Sequence, residues 1–149
     1  MGGINAVAGA GRKPNVKPDP SNDFEGVYDI EVPEYMAGME YAAMMWGSII
    51  PKLLERKTLK LTDMHNVEMF CFAYQNLRVA QREVATKGVT LTTDQGSVIK
   101  NPALTAVNEA SKQMAQFGSM LGLDPASRAH LMGGNKPKKE NAFAGVLNM

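Results

Sequence analysis

Residues 101–131 read NPALTAVNEASKQMAQFGSMLGLDPASRAHL, and they specify two helices and a tight joint between them. Asn101 suits a helix N-cap, and Pro102 suits the first helical position, where a missing N–H costs nothing. Leu104, Val107, Met114, Phe117 and Leu121 recur at spacings of three, four and seven, which predicts one buried stripe. Gly122 can take the left-handed backbone that ends a helix, and Leu123 supplies an apolar contact after it. Asp124 and Pro125 then cap and begin a second helix, which Gly133 and Gly134 keep short.

Upstream, Met36, Met39, Ala43, Trp46, Ile50 and Leu53 keep a helical stripe from about Glu34, and Pro51 is expected to kink or break that helix near its end. Thr62 with Asp63 caps the next helix, which places Val67, Phe70, Cys71, Tyr74, Leu77 and Val84 on one face up to about Gly88. Met69, Phe72 and Ala73 fall off that face, and the excess predicts burial on a second side, as at a subunit contact. Between Val89 and Ile99, β-branched residues broken by Asp94-Gln95-Gly96 predict a short hairpin or extended excursion. The expected fold is therefore all-α, with about four helices and that excursion between the second and third. Residues 1–32 read as a flexible arm, 33–132 as a helical core and oligomerisation domain, and 133–149 as a flexible tail.

A core of about a hundred residues can fold without disulfides or metal. The single cysteine, Cys71, cannot form an internal disulfide and fits a reducing compartment. No apolar run approaches the ~20 residues that cross a bilayer. The opening MGGINAVAGAG lacks the charged and apolar regions of a secretory signal, and Ala6 stands where a myristoylation site needs Ser or Thr. A soluble protein without membrane contact is expected.

Net charge is only +1, but the charges are segregated. Arg12, Lys13 and Lys17 make the arm basic, and no further cation occurs before Lys52. Asp19, Asp23, Glu25, Asp29, Glu31, Glu34 and Glu40 fill that gap. A second basic cluster follows at Lys52, Arg56, Lys57 and Lys60, and the tail adds Lys136, Lys138 and Lys139.

Catalytic constellations do not stand out. The chain has no GxxxxGK[ST] loop, so it is not expected to hydrolyse ATP on its own. His65 and Cys71 are six apart on one helix and point in nearly opposite directions, and no CxxC or HxxxH occurs, so neither a metal nor a cofactor is expected. Cys71 reads as a buried structural thiol and Asp63 as a helix-start residue. The chemistry that remains is cationic. Lys52, Arg56, Lys57 and Lys60 lie at the joint of the first two helices, where they either project toward a phosphate backbone or stay solvated. Arg78 and Arg82 share a helix face, with Glu83 able to pair with them or with Lys87. From the arm, Arg12, Lys13 and Lys17 could follow DNA without reading its sequence.

The run FGSMLGLDPASRAHL, following NPAL, resembles the C-terminal half of phage terminase small subunits. There an Asn-Pro-Ala opens a helix and a Gly-Leu-x-Pro-x-Ser-Arg-x-x-Leu segment closes the domain. The matching positions are Asn101, Pro102 and Ala103, then Gly122, Leu123, Pro125, Ser127, Arg128 and Leu131. Gly11-Arg12-Lys13-Pro14 resembles the family's N-terminal arm. Trp46, Ile50, Pro51 and Leu53, then Leu61, Thr62 and Asp63, resemble its first helix and the entry to its second. Where the family usually has a glycine before that entry, this chain has Arg56-Lys57-Thr58.

The resemblance implies a non-catalytic subunit that recognises the packaging site of double-stranded viral DNA. It also implies assembly as a homo-oligomeric ring in the host cytoplasm, and transfer of DNA to a large subunit carrying the ATPase and nuclease. The residues alone leave two alternatives. One is a small helix-turn-helix regulator reading a major groove with Ser127, Arg128 and His130, although Asp124–Leu131 gives only about two turns. The other is a structural oligomeric adaptor whose basic residues are solvated. With so short a second helix, DNA contact is expected around Lys52 to Lys60, and residues 101–131 are expected to close and pack the domain.

Overall fold

Two helices form where one was expected from Glu34. In the computed structural model, which describes residues 21–132, they are α1 (Glu34–Ala37) and α2 (Glu40–Glu55). Met39 between them is extended, at φ −94° and ψ 101°, and the Gly38 before it is a poor helix former. The first amides of α2 are capped from elsewhere: the Gln75 side-chain oxygen accepts from Tyr41 N–H and Ala42 N–H at 2.9 and 3.1 Å. Pro51 lies inside α2 without breaking it. The carbonyl it leaves without a partner belongs to Gly47, which is exposed to water.

After α2 the chain turns at Lys57, whose φ of +56° makes it the one non-glycine in the left-handed region among the described residues. A 3-10 turn (Leu61–Asp63) leads into α3 (Met64–Lys87). The expected Thr62-Asp63 cap is different in detail. Thr62 is exposed, α3 has no side-chain cap, and Asp63 instead accepts from Lys60 N–H at 3.3 Å, closing the 3-10 turn. Asp23 accepts from Leu61 N–H at 3.0 Å, so the upstream segment completes the capping.

Strands β1 (Thr90–Thr92) and β2 (Val98–Lys100) pair antiparallel, with Thr90 opposite Lys100. Gly96 at φ +80° makes the turn. The hairpin is anchored at its base by Asn101, which is fully buried. Asn101 Nδ2 donates to the Gly88 carbonyl at 2.8 Å, its Oδ1 accepts from Ala103 N–H at 2.9 Å, and its own N–H donates to the Val89 carbonyl at 2.9 Å. One residue thus ties the end of α3 to the start of α4 (Ala103–Met120).

The joint after α4 is a Schellman motif: Leu123 N–H donates to Gly118 O at 2.8 Å and Gly122 N–H to Ser119 O at 3.1 Å, with Gly122 at φ +66°. Helix α5 (Pro125–Leu131) follows, capped by Asp124, which accepts from Ser127 N–H at 2.9 Å.

The core gathers Met36, Trp46, Ile50, Leu53, Val67, Phe70, Cys71 and Leu121. Helices α3 and α4 run side by side in opposite directions, brought close by small residues: Ala73 and Ala80 on one, Ala103, Ala110 and Gly118 on the other. A Cβ at Gly118 would stand 3.2 Å from the Phe70 ring. The expected stripe of larger residues is only half-buried at Leu104, Val107, Met114 and Phe117, because alanines and glycine occupy the closest line of contact.

Part of the stretch expected as a flexible arm, residues 24–32, instead lies against the core. Phe24, Ile30 and Val32 pack on the core, and Trp46 Nε1 donates to the Ile30 carbonyl at 2.8 Å. Their acidic neighbours hid these apolar residues from the periodicity. Residues 1–20 and 133–149, which contain Arg12, Lys13 and Lys17 and the basic tail, lie outside the described residues.

Candidate nucleic-acid interface

The basic joint between α2 and α3 exists as a surface, and its four cations differ in freedom. Lys52 meets Glu55 at 3.6 Å on the exposed side of α2, a pair that contributes little in water. Lys60 Nζ is held by Ser21, donating to its backbone carbonyl and, at 2.9 Å, to its hydroxyl. Arg56 is half-buried at the C-cap of α2, and Lys57 is exposed on the turn. Neither meets a carboxylate among the described residues. A non-glycine held at positive φ costs roughly 1 kcal/mol, so Lys57 occupies a position where glycine would be easier for the backbone.

Arg78 and Arg82 do share a face, but both lie over Tyr41, at 5.7 and 5.4 Å from its ring centroid. Arg82 Nη2 also donates to the Tyr41 hydroxyl, and Tyr74 meets the Tyr41 ring edge-on at 6.4 Å. Glu83 pairs with Lys87 at 3.4 Å, not with the arginines. Tyr41 and Arg56 lie at opposite ends of α2, roughly 20 Å apart at 1.5 Å per residue. The structure therefore does not bring Arg78 and Arg82 to the joint.

Of the three groups on α5 that a helix-turn-helix would aim at bases, His130 is exposed, while Ser127 and Arg128 each bond within the protein. Ser127 Oγ lies 2.7 Å from Ser119 Oγ. Arg128 Nη2 donates to the Leu123 carbonyl at 3.0 Å, with Nε 3.5 Å from the Gly122 carbonyl. Sequence reasoning missed where this points: Arg128 lines a narrow crevice that Arg56 and Thr58 also line. Nothing local in the sequence signals that meeting, because it depends on how α5 folds back past α2.

A second surface lies along α3 and α4. An open groove of about 690 Å³ has Phe72, Val79, Ala103, Ala106 and Ala110 along it, with Glu83, Glu109 and Gln113 at its edge. Met69 and Val79 are 40% and 51% exposed on the same helix, so apolar area remains uncovered in the single chain. The thiol of Cys71 is inert by comparison: burial foremost, and then the charge of Glu68, push its pKa to about 12. Among the described residues, no group of three His, Cys, Asp or Glu side chains could hold a metal ion, and no helix is long and apolar enough to cross a membrane.

Neither the curated proteins nor the solved structures contain a match to this chain. A family model described as phage terminase, small subunit, matches residues 42–138, which takes in α2 from its third residue, the basic joint, α3, the hairpin, α4 and α5. The match covers well over half of the chain, and the chain belongs to the phage terminase small subunit family.

Proposed function

We propose that this chain is the non-catalytic, DNA-binding subunit of a phage terminase. It binds the packaging site of double-stranded viral DNA in the host cytoplasm and delivers that DNA to the large subunit, which supplies ATPase and nuclease. Family membership supports the packaging role. The observation that carries the DNA contact is the pair Arg56 and Lys57, two cations on one turn with no carboxylate partner among the described residues. Lys52 and Lys60 flank them. Assembly into a homo-oligomeric ring fits the groove along α3 and α4, whose uncovered apolar side chains would be buried by a second copy.

The test combines Arg56→Glu with Lys57→Glu and measures duplex binding by fluorescence anisotropy, alongside native mass spectrometry. Each phosphate contact shifts the log–log salt slope by about 0.9, so removing two weakens binding roughly thirtyfold near physiological salt. The oligomer should keep its mass. Unchanged DNA affinity would refute the assignment of the joint, and a monomer at working concentration would refute the ring. The helix-turn-helix alternative is weakened, since α5 has only seven residues and two of its three candidate base readers, Ser127 and Arg128, make bonds within the domain.

A further inference from the structure

Arg56 and Arg128 are far apart in sequence, yet they line one crevice together with Thr58, Gly122 and Leu131. Arg56 enters it from the C-cap of α2, and Arg128 from the last turn of α5. The Arg128 guanidinium is fixed in place by the Leu123 carbonyl at 3.0 Å and lies 3.5 Å from that of Gly122. These contacts use at most two of its five N–H groups, leaving three or more for another acceptor. The carboxylate nearest in sequence, Asp124, is turned to Ser127 N–H. Lys57 follows Arg56 on the exposed turn.

Arg56, Lys57 and Arg128 meet no carboxylate among the described residues, and a polyanion would supply the missing counter-charge. The crevice is too narrow to admit even a water molecule, which excludes a small-molecule pocket and leaves only its rim for a backbone to pass over. A guanidinium already pinned by backbone carbonyls loses little rotamer freedom on binding, and its planar fork matches two phosphate oxygens.

We infer that Arg128 and Arg56 form a clamp on the phosphate backbone of duplex DNA, so that α5 belongs to the DNA-binding surface and does more than close the domain. The inference rests on the DNA-binding reading given above and extends it to a residue seventy-two positions away. Arg128 contributes phosphate contact and register, without reading bases.

Salt titration of the full chain with a random-sequence duplex tests it. Arg56→Gln and Arg128→Gln should each lower the salt slope by about 0.9 and weaken binding roughly fivefold near physiological salt. Arg128→Lys should keep the slope and lose affinity, because the charge stays and the fork goes. A purely structural role for Arg128 would lower the unfolding midpoint and leave the slope alone. Hydrogen exchange of the unaltered protein gives a readout independent of any variant: duplex DNA should slow the amides of α5. An unchanged slope in Arg128→Gln beside a lowered one in Arg56→Gln, or no protection of α5, would overturn the clamp while leaving the joint assignment standing. No duplex affinity at low salt in the unaltered protein would overturn both.

Discussion

Replacing Asn101 with alanine should destabilise the domain by about 2–3 kcal/mol, more than any change at a single surface residue. The figure follows from two bonds made by a side chain with no exposure. Loss of the Oδ1 acceptor for Ala103 N–H removes a helix cap, which costs about 1 kcal/mol. Loss of the Nδ2 donor leaves the Gly88 carbonyl without its partner, for about 1–2 kcal/mol, the lower part of the usual range because Gly88 is itself exposed. Asn101→Asp separates the two. It keeps the cap but sets a carboxylate against a carbonyl, so it should recover no more than about 1 kcal/mol of the loss. Urea unfolding at matched protein concentration measures both, with midpoints falling at unchanged slope. Hydrogen exchange should show the hairpin amides opening first in either variant. A loss below about 1 kcal/mol for alanine, or an aspartate variant as stable as the unaltered chain, would refute the double-latch account of this residue.

At Lys57, the glycine variant should be more stable than the alanine variant by about 1 kcal/mol, since only glycine relieves the left-handed backbone, while both lose the same DNA affinity; equal midpoints in thermal unfolding would argue against strain there. Gly122→Ala should cost about 1–2 kcal/mol, chiefly because a Cβ at φ +66° is strained, the 2.8 Å approach to Leu131 Cδ1 being relieved by rotation of that exposed side chain; no loss in thermal unfolding would argue against it. Cys71 should resist alkylation at pH 8 until the protein unfolds, its thiol being held near pKa 12 by burial, and labelling in the folded state would show that the core opens. Hydrogen bonds from Ser127, its hydroxyl and then its N–H, hold the Asp124 carboxyl below the usual carboxylate range. Its contribution to α5 is therefore complete above the unfolded value of about 3.9 and is lost as pH falls through the lower native value. Protection of α5 amides followed by NMR in acid should show this, and Asp124→Asn should abolish the pH dependence.

What the sequence made legible is whatever a residue decides with its own neighbours. The Gly122 joint, the Asp124 cap, the Gly96 turn and the α3 stripe from Val67 to Val84 all follow from local conformational preference or helical period. The break at Gly38 and Met39 was hidden by an apolar stripe that continues across it, since periodicity does not register one extended residue. Gln75 capping α2, Asp23 capping the 3-10 turn and Tyr41 holding two arginines are contacts across 33 to 41 residues, with no local signature. The basic joint was visible as composition. Which of its cations are free was not, because Ser21 and Glu55 decide that in space.

The segment from Gly122 to Leu131 is better explained as a device for aiming than as a reader of bases. Its residues mostly serve the backbone, for Gly122 turns left-handed, Leu123 N–H closes the Schellman pair, Asp124 caps, Pro125 begins α5, and Ser127 meets Ser119. Their joint effect is to fix the direction of α5 to within what Gly122 and Leu131 allow, and that direction carries Arg128 to the end of α2. An apolar side chain at this place would leave the Leu123 carbonyl without its donor, so the guanidinium serves the joint itself before it serves any partner. Arg128 spends at most two of its five N–H groups on the Leu123 and Gly122 carbonyls, and the proposed clamp would use the others. On that proposal the joint and the basic turn are two parts of one surface, formed where α5 meets the end of α2.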